Sequence, residues 1–505
     1  MQGARRVYDG RMSDIFDMVI VGAGLSGIGA ACRYVTEFPE GKLAVLEARD
    51  AIGGTWDLFR YPGIRSDSDM LTLGYDFRPW PGTKTLADGP AIRDYVRDTA
   101  AEYGIDRRVQ FHSRVGRIDF DTSRDVWTMT ITDERDGSTR TIETRFILSC
   151  AGYYRYDKGH DPHFEGREVF AGPIVHPQLW PEDLDYSGKR VAVIGSGATA
   201  VTLVPELAKT AAHVVQVQRT PSYVASIPSQ DRVLKLTSKL MSPDRSYRLN
   251  RWKNIKMSAF QYQSAQKRPE KVKKFLRKQI VKALGRDYPV DVHFNPPYNP
   301  WDQRLCAVPD GNFFEAIASG GASMVTGHIE RFEPGGIRMT DGSFVEADII
   351  VTATGLEIKF GGGAQIHVDG ERVDLADTVG YKGLMFSGVP NLVSVFGYTN
   401  ASWTLRADLM SRYAVRMLRY MDENGLTRAV PVAPEGMSRD RWLDFDAGYL
   451  ARAEDQMPKQ GDRMPWRNIQ NYKHDQKILI EDPVPGEGLE FSTLSERAKF
   501  AEAAE

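Results

Sequence analysis

The chain has 505 residues, a formal net charge of −2 and 26% charged residues, values that fit a globular protein of two or three domains. The small net charge excludes a general attraction to nucleic acid or to an anionic membrane, so any basic surface must be local. The three cysteines form neither a CxxC pair nor a metal-ligand spacing, which argues against a structural metal site and against dithiol redox chemistry.

The N-terminal stretch MQGARRVYDGRMSDIFD is polar and has no apolar core of the kind found in a secretory signal. No uncharged run along the chain reaches the roughly 20 residues that a helix needs to span a bilayer. We therefore expect a cytosolic protein.

The first glycine-rich turn follows a predicted strand at Met18–Val21 and has GxGxxG spacing at Gly22, Gly24 and Gly27. A helix rich in Ala and Gly comes next. Such a turn offers backbone N–H groups and a helix N-terminus to a pyrophosphate. The following strand ends at Glu47, where a carboxylate accepts hydrogen bonds from an adenosine ribose. The pattern predicts a dinucleotide site for an unphosphorylated ribose.

A second turn repeats this pattern after the predicted strand Val191–Ile194, with Gly195, Gly197 and Ala200 in GxGxxA spacing. Its next strand ends at Arg219, in the place that Glu47 has in the first site. An arginine suits a ribose 2′-phosphate, which favours NADP; the alternative is a solvated charge at the end of a strand. Two unlike dinucleotides without a metal cluster indicate a flavin that takes hydride from a nicotinamide, with FAD in the first site and NADPH in the second.

Between the two turns lies FAGPIVHPQLWP, in which Phe170, Gly172, His176, Trp180 and Pro181 fit the pattern FxGxxxHxxxWP. This pattern is the fingerprint of the type I Baeyer-Villiger monooxygenases, which the chain resembles from about residue 17 to about residue 491. Ordinary flavin-containing monooxygenases have a related motif that usually lacks the Trp-Pro ending. The segment GGTWDLFRYPGIRSDSD resembles the flavin-side loop of the family. The actinobacterial branch similar to the prodrug-activating monooxygenase of mycobacteria is resembled by HFNPPYNPWDQRLCAVPDGNFFEAI, TATGLE, NASWTLRADL and PWRNIQNY.

The resemblance implies an α/β fold with two Rossmann-like dinucleotide-binding domains, one for FAD and one for NADP, and a helical insertion in the NADP domain. It divides the chain into five parts: a first FAD part at 1–152, linker and first NADP part at 153–224, insertion at 225–300, second NADP part at 301–355, and second FAD part with the C-terminal region at 356–505. The expected FAD contacts are Gly22, Gly24, Leu25, Ser26, Gly27, Glu47, Gly54, Thr55, Trp56 and Asp67. The expected NADPH contacts are Gly195, Ser196, Gly197, Ala198, Thr199, Arg219 and Thr220.

In this family, reduced FAD and O₂ form a C4a-peroxyflavin that attacks a ketone, and the adduct rearranges to an ester or lactone. The resemblance places the catalytic arginine at Arg304 and its anchoring carboxylate at Asp67; an arginine stays charged and offers several donors to a developing oxyanion. Many members have a lysine where this chain has Gln303, so coenzyme preference depends more on Arg219.

Two side chains in these segments have competing interpretations. Histidine titrates near neutral pH, so His176 suits acid-base catalysis, whereas the resemblance implies that it couples domain movement to catalysis. Cys306 could act as a nucleophile, but no activating histidine can be assigned to it, which favours a packing role.

A basic segment between about residues 229 and 287 has the helical period Val272, Phe275, Leu276, Ile280 and Ala283, which predicts an amphipathic helix. Three interpretations stay open for its charge: a solvated face, a steering field for NADPH, or a loose contact with anionic membranes. Nucleic acid binding is disfavoured because no recognised binding motif accompanies the charge.

The sequence therefore predicts an NADPH- and O₂-dependent FAD monooxygenase that acts on ketones. Oxygenation of sulfur or nitrogen is the alternative within flavin chemistry, and one protein can do both. A disulfide-type flavin reductase would need the absent CxxC, and a non-enzymatic basic-helix protein would leave two nucleotide sites unexplained. Neither the substrate nor the oligomeric state follows from the sequence.

Overall fold

The structure, a computed structural model, describes residues 15–82, 84–303, 305–444 and 448–494. Its first parallel sheet consists of short apolar strands that are buried on both faces, as parallel strands covered by helices usually are. In spatial order they are Leu392–Ser394, Ile147–Ser149, Met18–Val21, Leu43–Leu46 and Val109–Gln110. Helix Leu25–Glu37 connects the third of these strands to the fourth.

The second parallel sheet repeats this arrangement with a different part of the chain. Its strands, in spatial order, are Ala322–Thr326, His213–Gln218, Arg190–Ile194, Ile349–Thr352 and Ile174–Val175. Helix Ala198–Leu207 connects Arg190–Ile194 to His213–Gln218. Both predicted glycine turns therefore follow the central strand of a parallel sheet, and the predicted fold class, with two Rossmann-like domains, is confirmed.

Smaller sheets surround these two. A mixed sheet contains Glu371–Val373, Gln365–Val368, Ser113–Asp121, Val126–Asp133 and Thr139–Thr144. An antiparallel sheet contains Ile329–Glu333, Gly336–Met339 and Phe344–Glu346. The strand pairs are Val224–Ile227 with Cys306–Pro309, Gly380–Tyr381 with Met385–Phe386, Arg428–Pro431 with Leu489–Ser492, and Asp440–Arg441 with Lys459–Gln460.

The basic segment forms the helices Arg232–Leu240, Pro243–Lys267, Pro269–Leu284 and Val290–His293. In Pro269–Leu284, Leu276 and Ile280 are buried as predicted, but Phe275 is 59% exposed. The prediction that Phe275 and Ala283 belong to the buried face was wrong, because the helix meets the protein through the buried Leu276 and Ile280 and the partly buried Val281 and Leu284. The other helices are Thr55–Leu58, Met70–Leu73, Gly89–Glu102, Asn312–Ala318, Trp403–Asn424, Gly448–Ala451 and Tyr472–Gln476.

Each parallel sheet has its own apolar core. Cys32 and Cys150 lie in the core of the first sheet and Cys306 in that of the second, and all three are buried. Among the described helices, none combines the length and apolar character that crossing a membrane requires. The domain limits at residues 152, 224, 300 and 355 stay predictions.

Candidate flavin and nicotinamide sites

The first glycine turn is shaped by close backbone contacts. Gly22 has φ +101°, and a Cβ there would lie 2.6 Å from the carbonyl oxygen of Cys150, just beyond the neighbouring strand. A Cβ on Gly27 would overlap the carbonyl oxygen of Gly22, because the helix sits directly on the turn. Only glycine fits these two positions, as the fingerprint requires.

Glu47 directly follows strand Leu43–Leu46 and is 5% exposed. One carboxylate oxygen accepts a hydrogen bond from the backbone N–H of Ala23 (2.8 Å), and the other accepts one from that of Arg49 (2.9 Å). Burial is the main influence on the pKa of Glu47 and raises it, while the two backbone N–H groups oppose the shift. Each oxygen retains a further lone pair for a ribose hydroxyl.

A cavity of about 330 Å³ opens in front of this turn. Its lining includes most of the predicted FAD contacts: Gly22, Gly24, Leu25, Ser26, Glu47, Gly54, Thr55, Trp56 and Asp67. Gly27 lies behind the turn and does not line the cavity. Helix Leu25–Glu37 points its N-terminus here without a side-chain cap from a described residue, so its first N–H groups suit a pyrophosphate. The residues present fit a dinucleotide.

A buried carboxylate near the cavity was not predicted from the sequence. Asp57 is 2% exposed and pairs with Arg49 (2.6 Å) and Arg97 (2.8 Å) from two other segments. The pairs tie the loop that carries Gly54 to the strand end that carries Glu47. The signal was the acidic residue inside GGTWD, which sequence alone does not place near either arginine.

An aromatic wall closes another side of the same cavity, and it was also missed. Trp403, at the start of helix Trp403–Asn424, donates from Nε1 to Ser26 Oγ (2.8 Å) and stacks on Tyr153 with ring centroids 5.2 Å apart. Trp403 and Ser26 are 377 residues apart in the chain. No local pattern could have joined them.

The second glycine turn has the same backbone construction as the first. A Cβ on Gly195 (φ +142°) would overlap the carbonyl oxygen of Ala353, just beyond the neighbouring strand, as Gly22 meets Cys150 in the first turn. Gly197 precedes helix Ala198–Leu207, and a Cβ there would meet no protein atom within 4 Å. The third position, Ala200, is fully buried. The turn therefore has open space where a pyrophosphate approaches a helix N-terminus.

Arg219 and Gln218 share the strand end beside this turn, but they differ in exposure. Gln218 is buried and donates to the carbonyl oxygen of His293 (2.8 Å) and to Thr326 (2.9 Å). Arg219 is exposed and pairs with no carboxylate among the described residues. Near the turn, Ser222 donates to the hydroxyl of Ser196 (3.0 Å). The geometry leaves the Arg219 guanidinium available to a phosphate.

The five fingerprint residues are spread along one segment and do not form a cluster. Phe170 is buried against Phe332, and Gly172 lies where a Cβ would overlap the carbonyl oxygen of Asp348, so both anchor the segment to the second domain. Trp180 packs edge-on against Tyr186, and Pro181 is exposed.

His176 joins the fingerprint segment to a second interdomain linker. Its Nδ1 accepts from the backbone N–H of Gln178 (3.2 Å), which leaves the proton on Nε2, facing the carbonyl oxygen of Gly355 (3.1 Å). Gln178 in turn donates to the carbonyl oxygens of Arg155 and Tyr156. One neutral tautomer thus satisfies both ring nitrogens, and burial lowers the pKa of His176. Three chain segments meet at this imidazole.

Replacing His176 with glutamine is expected to lower the melting temperature by about 2–4 °C near neutral pH, because the neutral ring makes two hydrogen bonds. The folded protein lowers this pKa below 6.5, so the stabilisation is complete above pH 6.5 and is lost as pH falls through the lowered value. Thermal melts of both proteins from about pH 8 to about pH 5 should show the difference shrink on acidification. A difference that stays constant with pH would contradict the neutral tautomer.

A second cavity, of about 550 Å³, adjoins the first. Asp67, Ser68, Thr399 and Ala401 line both cavities and form the wall between them, which we call the shared wall. The rest of the second cavity has a mixed lining: apolar side chains, among them Ile227, Met257, Trp301 and Leu305, alternate with polar and charged ones such as Asp231. Arg304 lies outside the described residues, although its chain neighbours Trp301 and Leu305 line this cavity.

The C-terminal region holds the Thr399 part of the shared wall in place. The side-chain oxygen of Gln470 accepts a hydrogen bond from the backbone N–H of Thr399 (3.0 Å), and Asn400 donates to the Gln470 carbonyl oxygen (3.1 Å). Beneath them, the buried Arg406 pairs with Asp475 (3.1 Å). The segments NASWTLRADL and PWRNIQNY thus contact each other. Both resemble one branch of the family.

Two family models match the chain: flavin-binding monooxygenase-like over residues 84–242, and NAD(P)-binding Rossmann-like domain over residues 20–88. FAD-containing monooxygenase EthA of Mycobacterium tuberculosis is 48% identical over 483 residues, which cover 95% of this chain and 98% of EthA. A steroid monooxygenase solved with NADP aligns with a TM-score of 0.76 at 22% identity over 95% of this chain and 99% of its own. OTEMO, solved with FAD and NADP, aligns with a TM-score of 0.74 at 23% identity over 95% and 100%.

The two glycine turns, together with the matched family models and relatives, define a flavin-dependent monooxygenase. The chain belongs to the family of FAD-containing monooxygenases that includes EthA. Its cofactors are FAD and NADP(H).

Proposed function

We propose that the protein converts ketones to esters or lactones with NADPH and O₂. In the balanced reaction, one ketone, one O₂, one NADPH and one proton give one ester, one water and one NADP⁺. The observation that carries the proposal is the second cavity, which combines apolar and polar lining residues and shares a wall with the flavin cavity. A carbonyl compound bound there would lie beside the flavin.

When bound, FAD supplies the redox chemistry by taking hydride from NADPH and activating O₂. The residues of this chain bind and orient the two dinucleotides. The uncapped helix N-termini after Gly24 and Gly197 hold the two pyrophosphates, Glu47 accepts from the FAD ribose, and Arg219 pairs with the 2′-phosphate of NADPH.

At the reacting carbonyl, negative charge develops on the substrate oxygen when the carbonyl carbon is attacked. We assign Arg304 to stabilise that charge, because a guanidinium stays protonated and offers several donors. Asp67, in the shared wall, is the anionic partner that keeps such a cation directed toward the flavin side. His176 is assigned to domain coupling, since one of its hydrogen bonds reaches the distant Gly355 and the other, to Gln178, leaves neither ring nitrogen to transfer a proton.

Oxygen labelling tests the proposal. With ¹⁸O₂, NADPH and a panel of linear, cyclic, aryl and steroidal ketones, the holoenzyme is expected to place one labelled atom in an ester or lactone and to consume NADPH faster with ketone than without. Mass spectrometry of the product and NADPH absorbance measure both. Thioethers and amines are tested in parallel. The proposal would be contradicted if the label were found only in the sulfur or nitrogen oxides. It would also be contradicted if NADPH oxidation yielded only peroxide with every ketone.

A further inference from the structure

Exposed apolar side chains are concentrated on the helical insertion. Of the sixteen large apolar residues that are exposed among those described, nine lie between positions 233 and 275. Scattered exposed apolar residues are ordinary on a protein surface, but a contiguous set indicates an interaction site.

Helix Arg232–Leu240 places its exposed apolar residues on one face. Val233, Leu236 and Leu240 follow the spacing i, i+3, i+7 and are 46%, 58% and 73% exposed. Lys235 and Lys239 are exposed on a neighbouring face of the same helix. The buried face is a third one, so the apolar stripe is not directed at the protein.

Helix Pro243–Lys267 also presents exposed apolar residues together with an exposed lysine. Leu249, Trp252 and Phe260, at i, i+3 and i+11, are 42%, 60% and 66% exposed, and the exposed Lys256 falls between them at i+7. The two helices pack together through hydrogen bonds from Asn250 to Thr237 (2.7 Å) and between Thr237 and Ser246 (2.8 Å). We call the two exposed stripes, with their flanking lysines and arginines, the insertion surface.

The charge of the insertion selects among possible partners. Residues 232–282 contain sixteen Lys and Arg but only two acidic residues, Asp244 and Glu270, whereas the whole chain has a net charge of −2. A second copy of the same surface would bring like charges together, which opposes a symmetric dimer. Apolar stripes beside basic side chains fit a bilayer with anionic headgroups, where the apolar face enters the headgroup region and the Lys and Arg side chains contact the headgroups.

The insertion surface is also continuous with the second cavity. Met257 on helix Pro243–Lys267 is 49% exposed and lines that cavity, together with Arg232 at the start of the shorter helix. A membrane against this surface would face the cavity rim.

We propose that the protein docks peripherally on anionic membranes through the insertion surface. Docking concerns the surface alone and does not depend on the reaction catalysed. A corollary, which rests on the proposed function, is that a ketone dissolved in the bilayer enters the second cavity from it.

Vesicle co-sedimentation of the FAD-loaded protein tests the docking. We expect binding to phosphatidylcholine vesicles with about 30% phosphatidylglycerol, weak binding to phosphatidylcholine alone, and release by salt. The variants Leu236→Ser/Leu240→Ser and Lys235→Gln/Lys239→Gln should each bind at least about tenfold more weakly. Matched controls are Phe344→Ser/Val432→Ser for exposed apolar residues and Lys473→Gln/Lys477→Gln for exposed lysines outside the insertion.

Melting temperature and flavin absorbance confirm that each variant folds. Equal binding by the insertion variants and their controls, or equal binding to both vesicle types, would overturn the proposal. It would also be overturned if Leu236→Ser/Leu240→Ser changed a dimer to a monomer in light scattering, since the surface would then bind a second copy.

Turnover separates this inference from the proposed function. Wild type and the insertion variants should oxidise a short water-soluble ketone equally, while the variants should oxidise a long-chain ketone embedded in anionic vesicles several-fold more slowly. If no ketone is oxidised, the proposed function fails and the docking result stands. If embedded ketone is oxidised equally by all variants, delivery from the membrane is wrong.

Discussion

Replacing Arg304 with alanine is expected to lower the rate of oxygenated product formation by about a hundredfold to a thousandfold, while the protein stays yellow and still oxidises NADPH. On the proposed function, the developing oxyanion loses its fixed cation, whereas the expected contacts of both dinucleotides are other residues. NADPH consumption should then end in hydrogen peroxide. Product yield per NADPH, measured by chromatography and a peroxide assay, is the decisive quantity.

Asp67 should behave as a positioning residue in the same experiment. Asp67→Ala is expected to lower kcat and the product yield per NADPH more than it raises the KM for ketone, and Asp67→Glu, which keeps the charge, should recover part of the yield. Ser68→Ala is the matched control, because Ser68 lines the same shared wall without a charge. Near-normal yield from both Arg304→Ala and Asp67→Ala would remove this pair from the active site.

Gly27→Ala is expected to yield protein with little or no FAD. The added methyl group would overlap the Gly22 carbonyl oxygen, so the helix must move away from the turn that holds the pyrophosphate. Overpacking of this kind costs about 1–3 kcal/mol, which corresponds to about tenfold to a hundredfold weaker FAD binding. The flavin-to-protein absorbance ratio and a titration of stripped protein with FAD measure the change.

Gly197→Ala provides the contrast in the second turn. A Cβ at this position meets no protein atom within 4 Å, so the variant should keep its melting temperature and its FAD. The methyl group occupies space that the pyrophosphate of NADPH needs, so the KM for NADPH should rise by about tenfold or more. Equal loss of FAD from both variants would show that the two turns do not serve separate dinucleotides.

Local signals in the sequence were sufficient for the two nucleotide folds. The strands Met18–Val21 and Leu43–Leu46 and the two turns were predictable because a buried parallel strand, a glycine turn and a helix are adjacent in the chain and each has its own composition. The same holds for the helical nature of the basic insertion. Its buried face was predicted too broadly, since periodicity cannot tell how wide a strip another element covers, and Phe275 is exposed.

Only part of the candidate site could be predicted from the sequence. Gly22, Glu47 and Gly195 belong to motifs in which the chemistry depends on neighbours in the chain. Asp57 with its two arginines, and Trp403 against Ser26, depend on contacts between segments that are far apart, so no spacing rule could assign them.

By itself, then, the sequence determined that the chain forms two dinucleotide-binding folds, because the glycine turns reside in short, contiguous motifs with their own backbone requirements; the different ribose preferences of the two sites stay a prediction. Only the tertiary structure decided that Asp67 and Thr399 form one wall between two cavities, that His176 holds a single tautomer between two linkers, and that the apolar residues of the insertion face outward. These are properties of packing, which depends on which faces of distant segments meet.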